Sequence, residues 1–459
     1  MKATLTLLSV LLLTSPVLGA TEDARPNIVF FLVDDQRNDT LGCAGHPIIQ
    51  TPTIDRLATE GVRMENAFVT TSICAASRAS IFTGLVESTH GYTFRKPPVP
   101  ERFAHSIYPM LLRRAGYRTG YFGKYGVQMK VDPNEAFDGF ASRDRPYLRG
   151  GRHIDMINTE QALAFLDDCT PDQPFCLQVS FSSAHAEDRD RTPGRRGHYP
   201  VIDPVRQMYT DVDVPRPRLD DPAIFQALPE FLRTSMNRNR FHWRWDTPEK
   251  YQKNMRAYFA MISGVDHMIG QVVDRLRQRG FDENTVIIYL GDNGYYMGDR
   301  GFAGKWSHFE QSLRVPLIIR DPRASREHTG RVLAPMALNI DVPATILDLA
   351  GVPVPKHYQG RSLAAFVRGE QPENWREDFF CEHRMEHRAI PKWEGVRGER
   401  YKYARYIGQE PPYEFLHDLR DDPDELKNLA GDAASAEVLE QMRARCDELS
   451  RRYTEARGG

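Results

Sequence analysis

Asn27-Ile28-Val29-Phe30-Phe31-Leu32-Val33, followed at once by Asp34-Asp35, decides the fold class of this 459-residue chain. A half-exposed strand alternates apolar and polar residues, and this run does not. It is also too short for a buried helix. A continuous β-branched and aromatic run of this length predicts a strand buried on both faces, as in parallel sheets covered by helices. Two acids at the carboxyl end of such a strand stand where open α/β sheets place ligands. Side chains alternate along a strand, so Asp34 and Asp35 converge on one point only if the backbone turns there. Their hard oxygens suit calcium or magnesium. The competing reading is a helix or turn cap.

Two further runs repeat the pattern. Phe175 to Phe181 leads into Ser182-Ser183-Ala184-His185, and Val286 to Leu290 ends in Gly291-Asp292-Asn293-Gly294. A histidine just past a strand end is a candidate ligand or proton carrier. The glycines around Asp292-Asn293 permit a tight turn. Helices are predicted from Thr53 to Gly61, from Ile107 to Ala115 with Ser106 as a possible cap, from Thr159 to Leu166, and from Glu249 to Arg279. In the last, Tyr258, Ile262, Val265, Ile269, Val272 and Leu276 share one face and Gly280 closes the helix. The expectation is an α/β fold with a large, mostly parallel sheet sandwiched by helices over residues 21–370. A smaller C-terminal α+β subdomain, 371–459, carries the strand FFCEHR, two short strands in GVRGERYKYARY, and a final helix lined by Val438, Met442, Cys446, Leu449 and Tyr453.

Hydrophobic residues make up 41% and charged residues 27%, with a formal net charge of −2, so nothing global points to nucleic acid. Residues 1–20 read as an export signal: Lys2, then the apolar Leu5–Leu13, then a small-residue cleavage region near Gly19 and Ala20. The run is too short to span a bilayer and no later segment is long enough. A secreted or periplasmic location is therefore expected. Six cysteines are too few for a disulfide scaffold. Cys169 and Cys176 bracket a turn and could pair, whereas Cys446 lies on a core-facing helix face.

Thr70 to Gly84, TTSICAASRASIFTG, places a lone Cys74 near a predicted helix start with Arg78 four residues on. A helix N-terminus offers unpaired N–H groups that suit an anion, and arginine supplies a planar fork matched to tetrahedral oxyanions. A structural cysteine is the competing reading. Lys124 and Lys305 both sit in glycine-flanked loops after strands. Residues 186–248 are rich in Arg, Asp and Pro and predict a long irregular excursion over the sheet edge, of the kind that serves binding, with a loop plug over the core as the competing reading. His242 and Trp243 within it are candidate substrate contacts. Glu382, His383, Arg384, His387 and Trp393 in the C-terminal unit are candidates too.

Cations, hard-metal ligands and one potential nucleophile together describe a site for a tetrahedral anion. In this combination the chain resembles the type I sulfatases of the alkaline phosphatase superfamily. RPNIVFFLVDDQ, TPTIDRLATEG, SICAASRASIFTG, GYRTGYFGKY, TVIIYLGDNG, GKWSHFEQSLRVPLIIR and YEFLHDLRDDPDELKNLA match family segments in the family's order, from Arg25 to about Leu429. The resemblance implies that a maturation enzyme oxidises Cys74 to Cα-formylglycine, whose hydrated aldehyde is the nucleophile. It implies that Asp34, Asp35, Asp292 and Asn293 hold calcium, with residue 74 completing the shell. It further implies that Arg78, with the ion, acidifies the diol and neutralises the growing charge, that Lys124 and Lys305 bind sulfate oxygens, and that His185, with Lys305, protonates the leaving alcohol of a sulfated carbohydrate.

Two positions depart from the family. Alanine occupies Ala76, where proline is common. Gly126 stands where the family commonly has a histidine that helps expel sulfate, and His308 is a candidate substitute by its nearness to Lys305 in sequence. Two rivals remain: a phosphonate or phosphate ester hydrolase of the same superfamily, and a silent glycan-binding protein with an unmodified Cys74.

Overall fold

The computed structural model describes residues 25–94, 96–143, 148–149, 151–188 and 198–458. The candidate export signal lies outside these residues. Eight strands build one sheet: β1 (Asn27–Val33), β2 (Val62–Met64), β3 (Arg118–Gly123), β4 (Gly139–Ser142), β5 (Phe175–Ser180), β6 (Thr285–Gly291), β7 (Leu317–Arg320) and β8 (Arg331–Leu333). Their order is β8-β2-β7-β6-β1-β5-β3-β4. β1 pairs in parallel with β5 and β6, and β3 pairs in parallel with β5 and β4. β7 runs against both of its neighbours, so the sheet is mixed.

Every residue of β1 is buried. Ile28, Phe30 and Leu32 point into one core with Ala75, Ala79 and Phe82 of the Cys74–Thr83 helix and Ile346 of the Asp341–Leu349 helix. Val29, Phe31 and Val33 point into a second core with Leu57, Phe165 and the long Pro248–Gln278 helix. Alternation therefore exists in β1, but between two dry layers, which is why the sequence shows none. Thr247 caps the long helix by accepting from Lys250 N at 3.3 Å, with Pro248 in the first turn.

The C-terminal unit is a four-stranded antiparallel sheet in sequence order: β9 (Asp378–His383), β10 (Lys392–Gly398), β11 (Tyr401–Ile407) and β12 (Tyr413–Asp418). The Ala436–Glu455 helix covers one face, packing Leu439, Cys446 and Leu449 on Phe380, Val396, Tyr403 and Leu416. The sheet also grips the large domain. Glu382 N donates to Thr70 O at 2.9 Å, and Trp393 Nε1 donates to Trp306 O at 2.8 Å.

Three expectations are corrected. Cys169 and Cys176 are both free, because Cys176 faces the first core and Cys169 the second, across the sheet. Ser106 does not cap its helix, which spans Tyr108–Arg114 with Ile107 at the cap. The Ser106 hydroxyl instead turns to Phe103 O at 3.1 Å and His357 Nε2 at 3.0 Å. The excursion over 186–248 is irregular over 198–221 apart from the short Asp203–Val205 turn, but beyond that Pro222–Gln226, Glu230–Arg233 and Met236–Arg244 are helical. No helix among the described residues is long and apolar enough to cross a membrane.

Candidate active site

Four neighbouring parallel strands, β6-β1-β5-β3, end on the same side of the sheet, and each delivers polar residues there. β1 ends in Asp34-Asp35, β5 runs on to His185, β6 ends in Asp292-Asn293, and β3 ends in Lys124. Asp35 adopts φ +52°, the turn that lets both acids face one point. Gly123 has φ +121°, and a Cβ there would fall 1.9 Å from Ser180 O. Only glycine therefore lets the backbone cross so closely that Lys124 N donates to Ser180 O at 2.8 Å. Asp155 holds the segment before His185 by accepting from Ser182 N at 2.8 Å, Ser183 N at 2.9 Å and Ser183 Oγ at 2.8 Å.

Cys74 begins the Cys74–Thr83 helix, whose cap residue Ile73 offers no side-chain acceptor to the first-turn N–H groups. Gly84 closes the helix at φ +67°. Arg78, one turn in, is wholly buried. Its Nε donates to Asp292 Oδ2 at 2.8 Å, and its Nη1 donates to Lys124 O. Lys124 pairs with Asp34, and Lys305 with Asp35. Lys305 Nζ also lies 3.9 Å from Asp34 Oδ1. Donor atoms of Asp34, Cys74 and Asp292 lie within 4.8 Å of one another.

Three carboxylates thus meet three cations in a pocket where each residue is at most 8% exposed. Burial is the largest influence on Asp34 and raises its pKa. Lys124, His185, Lys305 and Arg78 together outweigh it and hold the carboxyl well below the usual range. Burial pushes Lys124 and Lys305 down, but their aspartate partners prevail and keep both ammonium groups charged. Burial, then the neighbouring Asp34 charge, lifts Asp292 to about 6. Burial also draws His185 down to about 4, against the pull of Asp35, Asp34 and Asp188. His185 Nδ1 faces Ala186 O at 2.6 Å, and Nε2 lies 3.7 Å from Asp35 Oδ2.

Buried Asp34 Oδ1, Asp35 Oδ2 and Asn293 Oδ1 have no hydrogen-bond partner. Asn293 Nδ2 donates to Asp35 Oδ1 at 2.8 Å and to Gly294 O at 2.9 Å, so its oxygen is the free end. Orphaned hard acceptors in a buried pocket fit a calcium or magnesium ion.

A family model described as sulfatase matches residues 26–352. The chain belongs to the sulfatase family. It is a sulfuric ester hydrolase of the alkaline phosphatase superfamily. A second model, N-sulphoglucosamine sulphohydrolase C-terminal, matches residues 298–452. N-acetylglucosamine-6-O-sulfatase of Bacteroides thetaiotaomicron is 27% identical over 94% of this chain and 87% of its own length. A protein solved in complex with its substrate D-glucosamine-2-N,6-O-disulfate superposes with a TM-score of 0.78 at 24% identity, over 94% of this chain and 99% of the other. The phosphonate monoester hydrolase of Agrobacterium radiobacter does so at 0.79 and 24%, over 94% and 96%. At these identities the two structures speak for the fold alone.

The two sulfatase departures have distinct surroundings. Ala76 is fully buried against Ile73, Trp306 and Ile390. Gly126, at φ +69°, would aim a Cβ at Arg78 Cδ, 3.5 Å away, and Lys124 Cε, 3.9 Å away. A side chain at this position would begin against the aliphatic stems of Arg78 and Lys124. His308 does not replace it. It is wholly buried, with Nδ1 2.9 Å from Tyr406 Oη and Nε2 3.3 Å from His417 Nε2, so neither nitrogen is left for the site.

The candidate substrate contacts fall into two groups. His242, Trp243, Arg384 and His387 keep exposed surface. His242 stands 3.4 Å from Asp246, and Arg384 pairs with Glu382 at 2.5 Å and Glu394 at 2.6 Å. Glu382, His383 and Trp393 have none. Glu382 accepts from Ser88 N at 2.8 Å, and Trp393 donates to the Trp306 carbonyl beside Lys305 at 2.8 Å. Sequence reasoning passed over Asp155, Asp188, Asn237, Arg240 and Arg244. The last three recur at helical spacing in MNRNRFHWR, a signal that was present.

Proposed function

We propose that this sulfatase is exported and removes sulfate from a sulfated, glycosaminoglycan-type sugar, using a formylglycine made from Cys74 and a bound calcium ion. One observation carries this reading: three orphaned hard oxygens and three buried cations surround a cysteine at an uncapped helix start. The names of relatives that act on amino-sugar and hexuronate sulfates support the substrate class.

Asp34, Asp35, Asp292 and Asn293 would hold the ion. A divalent cation there would turn a charge-balanced cluster into one that attracts an anion. Calcium supplies Lewis-acid stabilisation, and formylglycine supplies a geminal diol that is regenerated without hydrolysis of a stable ester. The chain's own residues do the rest. Arg78 bridges Asp292 and the Lys124 carbonyl and so fixes two strand ends relative to the helix start. Lys124 and Lys305 present ammonium donors to sulfate oxygens in a low-dielectric pocket, where such contacts count most. As the S–O bond to the sugar breaks, the electron pair goes to the sugar oxygen. Lys305 Nζ, which keeps its proton, can place one there, and His185 Nε2 can do so once its imidazole is protonated.

The test has two arms. Mass spectrometry of the peptide containing residue 74, from the native host, is expected to show the aldehyde; an intact thiol removes the proposed nucleophile. A screen of defined sulfated oligosaccharides, with 4-nitrophenyl sulfate and 4-nitrophenyl phosphate alongside, is expected to give the highest kcat/KM on a sulfated amino sugar or uronate. A higher value on the phosphate would reverse the choice of ester.

A further inference from the structure

The Met236–Arg244 helix buries the wrong residues for an ordinary surface helix. A helix packed on a domain usually hides apolar side chains at helical spacing. Here the hidden face is Asn237, Arg240 and Arg244, with exposures of 3%, 9% and 0%. Two guanidinium groups out of water need close partners, and these partners lie on the loops of the catalytic site. Asn237 Nδ2 donates to Lys305 O at 2.6 Å. The Arg240 guanidinium lies 4.6 Å from the ring centroid of Trp306, the residue after Lys305, whose φ is +73°. Arg240 and Arg244 pair with Oδ2 and Oδ1 of Asp188, three residues beyond His185. Arg244 Nη1 also lies 3.4 Å from Tyr295 Oη, two residues past Asn293. Tyr295 in turn stacks on Tyr258, whose hydroxyl donates to Asp35 O at 2.9 Å.

We propose that this helix is the positioning element for the leaving-group side of the site, holding His185 (through Asp188) and Lys305 (through Asn237 and Trp306) in register as one rigid body. This rests on the reading of His185 and Lys305 as the groups that serve the leaving oxygen. Neither Asn237 nor Arg240 has to touch substrate for the inference to hold. Displacement of a proton donor by a fraction of an ångström is enough to weaken it. Asp188, gripped at both oxygens, is a clamp and not a base. The competing view makes the helix a plug over the sheet edge with no hold on chemistry.

The two views differ in leaving-group dependence. Phenyl sulfate has a poor leaving group that needs a proton as the S–O bond breaks, whereas 4-nitrophenyl sulfate has a good one that hardly does. Arg240→Met, Arg240→Lys, Asp188→Asn and Asn237→Ala are measured on both esters beside His185→Ala, with thermal unfolding to confirm that each is folded. Arg240→Met and Asp188→Asn are expected to lose about tenfold more kcat on phenyl sulfate than on 4-nitrophenyl sulfate, with KM little changed. Asn237→Ala should shift the same way by less, and Arg240→Lys should recover part of the loss. Should Arg240→Met fail to fold, Asp188→Asn and Asn237→Ala decide the matter. Equal losses on both esters in folded variants, with His185→Ala still discriminating between them, would overturn the proposal. If His185→Ala itself loses equally on both, the leaving-group reading is what fails, and the positioning role falls with it.

Discussion

Replacement of Lys124 by methionine tests the anion site most directly. The side chain keeps its volume and loses its charge in a pocket where Lys124 is 8% exposed and paired with Asp34. A preorganised charged donor to an oxyanion in a dry site contributes about 2–4 kcal/mol to the transition state. Arg78 and Lys305 remain in the variant, which argues for the middle of that range. About 3 kcal/mol corresponds to a fall of roughly 150-fold in kcat/KM. On the proposed assignment of Lys124 to the sulfate group, the fall should be the same for 4-nitrophenyl sulfate and phenyl sulfate. Loss of its partner also leaves Asp34 a buried carboxylate short of one cation, at a cost of about 1–3 kcal/mol in stability. The assay is steady-state kinetics on both esters at pH 7, beside chemical denaturation and mass spectrometry showing equal conversion at residue 74. A fall below about fivefold, or one that grows as the leaving group worsens, would refute the assignment of Lys124 to sulfate.

Other expectations concern stability and the ion. Burial, and next the adjacent Glu382 carboxylate, raises Glu87 to about 8, so the folded state holds a proton that the unfolded chain releases at ordinary carboxylate pH. Stability relative to Glu87→Gln should therefore fall as pH rises through that window towards 8, and parallel curves would contradict it. Gly123→Ala, whose Cβ would meet Ser180 O at 1.9 Å, should lose upwards of about 3 kcal/mol in denaturant unfolding, with little effect meaning that β3 can shift. Trp393→Phe removes the donor to Trp306 O and should lower stability by about 1–2 kcal/mol, read from the same denaturation curves. A chelator should lower the unfolding temperature, and calcium at 100 times its dissociation constant should restore about 3 kcal/mol; no response would leave the three orphaned oxygens unexplained.

Much of the site was legible because its parts are local. NIVFFLV announces a doubly buried strand, and the acids or glycines that follow each such run mark where a strand stops and a turn begins. The Cys74 helix start and its closure at Gly84 are local as well. The sites of failure are equally specific. Ser106 has the right chemistry for a cap, yet His357, far along the chain, competes for its hydroxyl. His308 lies three residues from Lys305 and looked available, but β11 and β12 bring Tyr406 and His417 onto both of its nitrogens. The Asn237, Arg240 and Arg244 face was visible as spacing, but a polar face reads as solvated until its partners are known.

From sequence alone, then, came the element types, the order of the motifs, the family and the chemistry each residue could offer, because period, capping and turn preference act over a few residues. Strand order was decided only by tertiary structure. β1 sits between β5 and β6, where Asn27 meets residues 148 and 258 positions away, and β7 runs against its neighbours. That order brings four strand ends to one side of the sheet, divides Cys169 from Cys176, and closes Asp34, Asp35 and Asp292 on Lys124, Lys305 and Arg78. Pairing over such distances depends on which faces bury together, and no local window of sequence contains that information.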